Sequence, residues 1–161
     1  FALMTETLGM SALAETPLVV YLAQRVGPST GMPTWTEQGD LKFALNASQG
    51  DFLRVVIAPS DVADSFYLMG DAFNLTEKYQ LPVLFITDKF LGESAFSVPE
   101  FEPDKIKIDR GKIADEKELP ELKSNERFKR YKLTEDGVSP RTFPGMKNGI
   151  HVASSYTHGE D

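Results

Sequence analysis

The residues best equipped for chemistry lie in one short stretch, Gln24-Arg25-Val26-Gly27-Pro28-Ser29-Thr30-Gly31-Met32-Pro33-Thr34. Its two glycines, two prolines and two adjacent hydroxyls make a stiff turn with exposed backbone N–H groups and side-chain donors. A guanidinium such as Arg25 can grip a carboxylate or phosphate through two parallel hydrogen bonds. A helix predicted to begin near Thr36 would add its positive end. Together these features suit anion recognition. They also suit a proline-stiffened connection with Arg25 in an ordinary surface salt bridge, and spacing alone leaves both readings open. The loop lacks the terminal Gly-Lys-Ser/Thr of a P-loop and the GxGxxG spacing, so no nucleotide reading is supported.

The elements around this loop say where it must sit. Three continuous apolar runs, Leu18 to Ala23, Arg54 to Ala58 and Pro82 to Thr87, are strand length and bounded by turn residues. Continuous hydrophobicity implies burial on both faces, as in a parallel sheet covered by helices. Between the runs, Thr36 to Ala47 is predicted as a helix, with Thr34 and Glu37 as a capping box. Asp61 to Tyr79 is the clearest helix, capped by Ser60 or Asp61, with Val62, Phe66, Met69 and Phe73 stacked along it. Phe1 to Glu15 reads as a further helix, stopped by Thr16-Pro17, with Thr5, Leu8 and Ala12 on one face. The pattern predicts an α/β fold. Ligands of open parallel sheets bind beyond the carboxyl ends of the strands, which is where the Arg25 loop follows the first of them.

After Asp88 the pattern changes. From Phe90 to Asp161 the chain is rich in proline, glycine and charge, punctuated by Phe96, Phe101, Ile106, Phe128, Tyr131 and Phe143. This reads as an irregular extension packed on the sheet domain or on a partner. The charged runs from Asp115 to Lys132 read as a solvated face or subunit contact. The end, His158-Gly159-Glu160-Asp161, is a poor metal cage and reads as a solvated tail.

The totals narrow the chemistry. At 161 residues the chain fits one domain, with 41% hydrophobic and 25% charged residues, ordinary for a globular protein. The net charge of −7 argues against nucleic acid. Without cysteine the chain forms no disulfide, no thiolate nucleophile and no cysteine-ligated iron–sulfur cluster, and its two histidines make a histidine-rich metal site a poor prospect. No apolar run reaches bilayer-spanning length and no signal peptide is visible, so a cytoplasmic location away from membranes is expected. A start at Phe1, already inside a helix, suggests a piece of something larger.

The loop string, followed by Glu37-Gln38-Gly39-Asp40-Leu41, resembles the alpha-subunit signature of 2-oxoacid:ferredoxin oxidoreductases, nearest the 2-oxoglutarate or broad 2-oxoacid branch. Ile57-Ala58-Pro59, the stretch Ala72 to Gln80, Thr87-Asp88-Lys89-Phe90-Leu91 and Tyr131 to Arg141 agree with it, so the resemblance spans nearly the whole chain. It implies a three-layer α/β/α parallel sheet of the thiamine diphosphate-binding, pyrimidine-domain type. Residues 1–91 would be a partial domain of that type, and 92–161 an extension toward a further, C-terminal domain.

The resemblance also implies an activity. Thiamine diphosphate attacks the 2-oxo carbon and carbon dioxide leaves. Two single electrons then pass through an iron–sulfur cluster to ferredoxin, and coenzyme A takes the acyl group. In the family a partner beta subunit holds the diphosphate, its magnesium ion and the cluster, while the alpha subunit covers the aminopyrimidine and helps to hold the substrate. Carried over, Arg25 is the catalytic arginine placed near the substrate carboxylate, with Ser29 and Thr30 as neighbouring donors. Gly27 and Gln38 are the cofactor-side positions. Gln38 and Asp40 would lie on the first turns of the next helix, where packing competes with contact. Tyr21 and Trp35 would be packing groups. The glutamate that drives the cofactor and a Tyr-Pro-Ile-Thr-Pro segment are expected upstream of Phe1, so the piece should be inactive alone. A non-catalytic assembly module is the alternative, and a stand-alone anion-binding protein a third.

Overall fold

The computed structural model describes residues 1–154, 156 and 158. A 3₁₀ turn, Ala2–Met4, leads into α1 (Thr5–Leu13), followed by β1 (Leu18–Gln24), α2 (Leu41–Asn46), β2 (Val55–Ile57), α3 (Val62–Tyr79), β3 (Pro82–Asp88) and α4 (Lys89–Glu93). The three strands are parallel in the order β1-β3-β2. β1 and β3 run in register from Leu18 opposite Pro82 to Gln24 opposite Asp88.

Why β3 is apolar throughout follows from its place. It has a strand on each side and helices on each face, so Pro82 to Thr87 are all buried. Its side chains alternate between two cores. Leu84 and Ile86 join Val20 against Leu8 of α1 and Ala44 of α2. Val83 and Phe85 face Ala72 of α3, with Leu68, Met69 and Leu75 packed around them. The result is the expected three-layer α/β/α arrangement.

α3 starts where its cap is. The Asp61 carboxylate accepts the Asp64 N–H at 2.8 Å, and the Asp64 carboxylate reaches back to the Ser60 N–H at 2.8 Å, a reciprocal cap. Asp61→Ala is expected to cost about 1 kcal/mol of stability, measured as a lower denaturant midpoint with an unchanged slope. The helix ends at Gln80, in the left-handed region. There the buried Thr76 hydroxyl accepts the Leu18 N–H at 2.7 Å and donates to the Leu81 carbonyl at 2.6 Å, tying the starts of β1 and β3 together.

The extents of two helices are corrected. The second helix spans only Leu41–Asn46, and the Thr34–Glu37 capping box does not form. Its intended first turn is held open by partners elsewhere. The Thr36 hydroxyl accepts the Phe90 N–H at 3.3 Å, Gln38 donates to Asp88, and the Asp40 N–H is taken by the buried Gln24 side chain at 2.9 Å. The first helix is shorter than Phe1 to Glu15, and its buried residues are Leu8 and Ser11. On α3 the residues against the sheet are Leu68, Met69, Ala72, Leu75 and Thr76, and Phe73 is 54% exposed. The row Val62, Phe66, Met69 and Phe73 also lines a side groove, with Met69 shared between groove and core, and Phe101 lines the same groove and stacks its ring on Phe66 at 4.5 Å.

Beyond α4 the chain is irregular but anchored. Ile106 sits on Gly70 so closely that a Cβ there would lie 2.5 Å from its methyl carbon. Asn74 donates to the Lys107 carbonyl at 2.6 Å and accepts the Asp109 N–H at 2.8 Å. Glu77 receives Arg110 at 3.0 Å and also the buried Arg141. Burial pushes its carboxyl up, but those two arginines together outweigh burial and hold it below the usual range. His158 is no solvated tail, since its ring stacks on Tyr131 at 3.5 Å; Gly159 to Asp161 lie outside the described residues. Among the described residues no helix is long and apolar enough to cross a membrane.

Candidate functional site

The carboxyl ends of β1, β2 and β3 face the amino end of α3 across a cavity of about 830 Å³. That volume suits a small-molecule site. Gln24 and Ile86 line its floor, Val62, Phe90 and Phe96 form apolar walls, and Gln38, Asp61 and Asp88 supply polar groups. Neither lysine nor arginine lines it.

Asp88 organises this rim. As the last residue of the central strand it is held at the point where strand order reverses sequence order. One carboxylate oxygen accepts the Leu91 N–H at 2.8 Å, capping α4, and the other accepts the Gln38 side-chain N–H at 2.7 Å. The Leu91 N–H and then the Gln38 amide hold the carboxyl below its usual range, against a smaller push from burial.

The Arg25 segment does not line the cavity. Arg25 directly follows the lining residue Gln24, one peptide away (about 3.8 Å between Cα atoms). It is exposed on the same rim and joins no ion pair among the described residues. From Val26 the chain forms a small projecting hairpin. Val26 and Met32 bridge antiparallel, the Met32 N–H donates to the Val26 carbonyl at 3.1 Å, and the Trp35 N–H donates to the Met32 carbonyl at 3.0 Å. The Gly27–Pro28 peptide is cis, and Ser29 and Thr30 sit exposed at the tip. Gly31 has φ +53°, and a Cβ there would lie 2.0 Å from the Val26 carbonyl oxygen, so the turn requires glycine.

The expected site residues therefore divide. Gln38 lies on the cavity wall, though on a loop and not on a helix. Arg25, Gly27, Ser29 and Thr30 stand beside it on the hairpin. Asp40 stands at the amino end of α2, without a side-chain capping bond, and does not line the cavity. Trp35 is 62% exposed rather than packed, and Tyr21, also half exposed, gives its hydroxyl to a 3.0 Å hydrogen bond with Thr87. Asp88, Asp61 and Phe96 were missed by sequence reasoning. The signal for Asp88 was present, in a carboxylate closing the most apolar run.

The family described as pyruvate flavodoxin/ferredoxin oxidoreductase, thiamine diphosphate-binding, matches residues 1–160. The chain is 44% identical over 158 residues to "2-oxoacid:ferredoxin oxidoreductase 1, subunit alpha" of Sulfurisphaera tokodaii, covering 97% of this chain and 24% of that protein. It is 34% identical to "2-oxoglutarate synthase subunit KorA" of Methanothermobacter thermautotrophicus, covering 99% of this chain and 40% of the relative. A solved structure, the 2-oxoglutarate:ferredoxin oxidoreductase from Magnetococcus marinus with 2-oxoglutarate, coenzyme A and succinyl-CoA bound, superposes with a TM-score of 0.85 at 41% identity, over 99% of this chain and 26% of that one. The chain thus spans about a quarter of the length of the alpha subunit and of the solved chain. With the match running through both the sheet and its extension, the chain belongs to the thiamine diphosphate-binding family of pyruvate flavodoxin/ferredoxin oxidoreductases.

Proposed function

We propose that this chain is the pyrimidine-side part of an alpha subunit that, in a complete 2-oxoacid:ferredoxin oxidoreductase, converts a 2-oxoacid and coenzyme A to an acyl-CoA with reduction of ferredoxin. One observation carries the reading most: an arginine without an ion-pair partner among the described residues stands on the rim of an apolar cavity at the strand ends of a family sheet. That pairing suits a 2-oxoacid, which needs its carboxylate gripped and its reacting carbon kept in a dry environment.

The lining fits one end of thiamine diphosphate and not the other. Phe90, Phe96 and Val62 suit an uncharged ring, and Gln38 and Asp88 suit its polar edge. A diphosphate among two carboxylates and no lining cation would be opposed. Among the described residues no group of three metal-ligating side chains exists. The beta subunit would accordingly hold the diphosphate, the magnesium ion and the iron–sulfur cluster. Thiamine diphosphate, when bound, supplies the nucleophilic carbon and the electron sink of the decarboxylation. This chain's residues bind and orient. Arg25 grips the substrate carboxylate, Ser29 and Thr30 donate hydrogen bonds beside it, and Gly27 offers its backbone on the cofactor side, next to the cavity that Gln38 lines. Residues 1–91 form most of the site, to which Phe96 of the extension adds a wall, and 92–161 connect it toward a further domain of a cytoplasmic enzyme.

The test uses the full-length chain with its partner subunit. Reduction of a viologen dye is expected only when 2-oxoacid, coenzyme A and thiamine diphosphate are all supplied. A purified complex that reduces no dye with any 2-oxoacid sinks the reading.

A further inference from the structure

We propose that Asp88 is a positioning residue that fixes the polarity of the Gln38 amide, so that the cavity wall offers a hydrogen-bond acceptor to the amino group of the pyrimidine ring. The proposal rests on reading this cavity as the pyrimidine site.

An ionised carboxylate can only accept hydrogen bonds, so a glutamine beside it must turn its NH₂ toward it. Gln38 does so, donating through Nε2 to Asp88 Oδ2 at 2.7 Å. The Oε1 end of the amide is then left without a hydrogen bond among the described residues, in a residue that lines the cavity. Two neighbouring polar groups are committed elsewhere. The Ser60 hydroxyl donates to Asp64 at 3.0 Å, and the Gln24 side-chain Oε1 takes the Asp40 N–H at 2.9 Å. Asp88 is itself fixed, because its other oxygen caps α4 through the Leu91 N–H. A free amide would rotate to suit any ligand, whereas one locked by a carboxylate favours donors over acceptors. An amino group is such a donor.

Asp88→Asn tests this with little change of shape. The new carboxamide can still accept the Leu91 N–H, but it turns its NH₂ toward Gln38. That amide must then rotate and present its own NH₂ to the cavity. Binding is measured by calorimetry on the assembled, cofactor-free complex, independently of turnover. The affinity for thiamine diphosphate is expected to fall about tenfold, the loss of one good hydrogen bond. Oxythiamine diphosphate, with an oxo group in place of the ring amino group, is expected to bind as well as before or better. Adding Gln38→Glu to Asp88→Asn restores an acceptor, since one carboxylate oxygen takes the new NH₂ and the other stays free. Thiamine diphosphate binding should then return to within about threefold of the parent. Equal weakening of both ligands without rescue would show Asp88 to be only a helix cap and overturn the proposal. Weakening by Gln38→Ala with none by Asp88→Asn would overturn the positioning role and leave the site reading standing. If neither variant alters binding, the cavity is not the pyrimidine site and both fall.

Discussion

Arg25→Ala, made in the assembled enzyme, should lower kcat/KM for the 2-oxoacid by roughly 100-fold or more, because truncating one side of a hydrogen-bonded charge pair costs about 2–5 kcal/mol. Arg25→Lys should recover only part of it, since an ammonium keeps the charge but not the two-pronged geometry. Stability should hardly move. Arg25 is exposed and joins no ion pair among the described residues, so the change should stay within about 0.5 kcal/mol. The combination is diagnostic. A surface salt-bridge role would give small effects on both, and a purely assembling role would alter subunit association while sparing the kinetics of whatever complex forms. Unchanged kinetics would remove Arg25 from the substrate.

The second large effect is structural. Arg130 is 6% exposed although charged. Its guanidinium donates at 2.9 Å to the Glu15 carboxylate, at 2.9 Å to the Glu15 carbonyl, and to the Gln80 side-chain oxygen. One side chain from the extension thereby joins the segment after α1 to the carboxyl end of α3. Arg130→Ala would leave the buried Gln80 side-chain oxygen without its donor and release the partly solvated Glu15 carboxylate, at a cost of about 1–3 kcal/mol. Faster amide hydrogen exchange is expected across residues 126–151 and at the start of β1, with the Asp88 end of β3 still protected. Exchange unchanged in the extension would mean that its anchorage lies instead in Arg141, Asn74 and the Ile106–Gly70 contact. Because Arg130 sits at the amino ends of the strands, this latch is remote from the cavity, and Arg130→Ala separates a loss of stability from a loss of binding.

Much of the fold was legible because burial on both faces leaves a local trace. The apolar runs from Leu18, Arg54 and Pro82 became the three strands, and Asp61 announced the start of α3. Composition also excluded a cysteine-held cluster. The α2 region misled for an equally physical reason. Thr34 and Glu37 carry a capping-box pattern, but Thr36, Gln38 and Asp40 find better partners in Phe90, Asp88 and Gln24. A local pattern cannot weigh a partner 50 residues away. On α3 the stacked row from Val62 to Phe73 lines a side groove, while Leu68, Met69, Ala72 and Leu75 pack on the sheet, a division that only the closed fold decides.

By itself, then, the amino-acid sequence determined the class of fold, the family and the loop that carries Arg25 and Gly31, since each depends on residue type and short-range spacing. Tertiary structure alone decided that β3 lies between β1 and β2, and so brought Asp88 beside Gln38 and Gln24 at the cavity. It also decided that the Arg25 hairpin stands on the rim and not in the lining. The reason is that strand order, register and the partners of polar side chains are properties of the closed chain, chosen by competition among distant groups that no local pattern records.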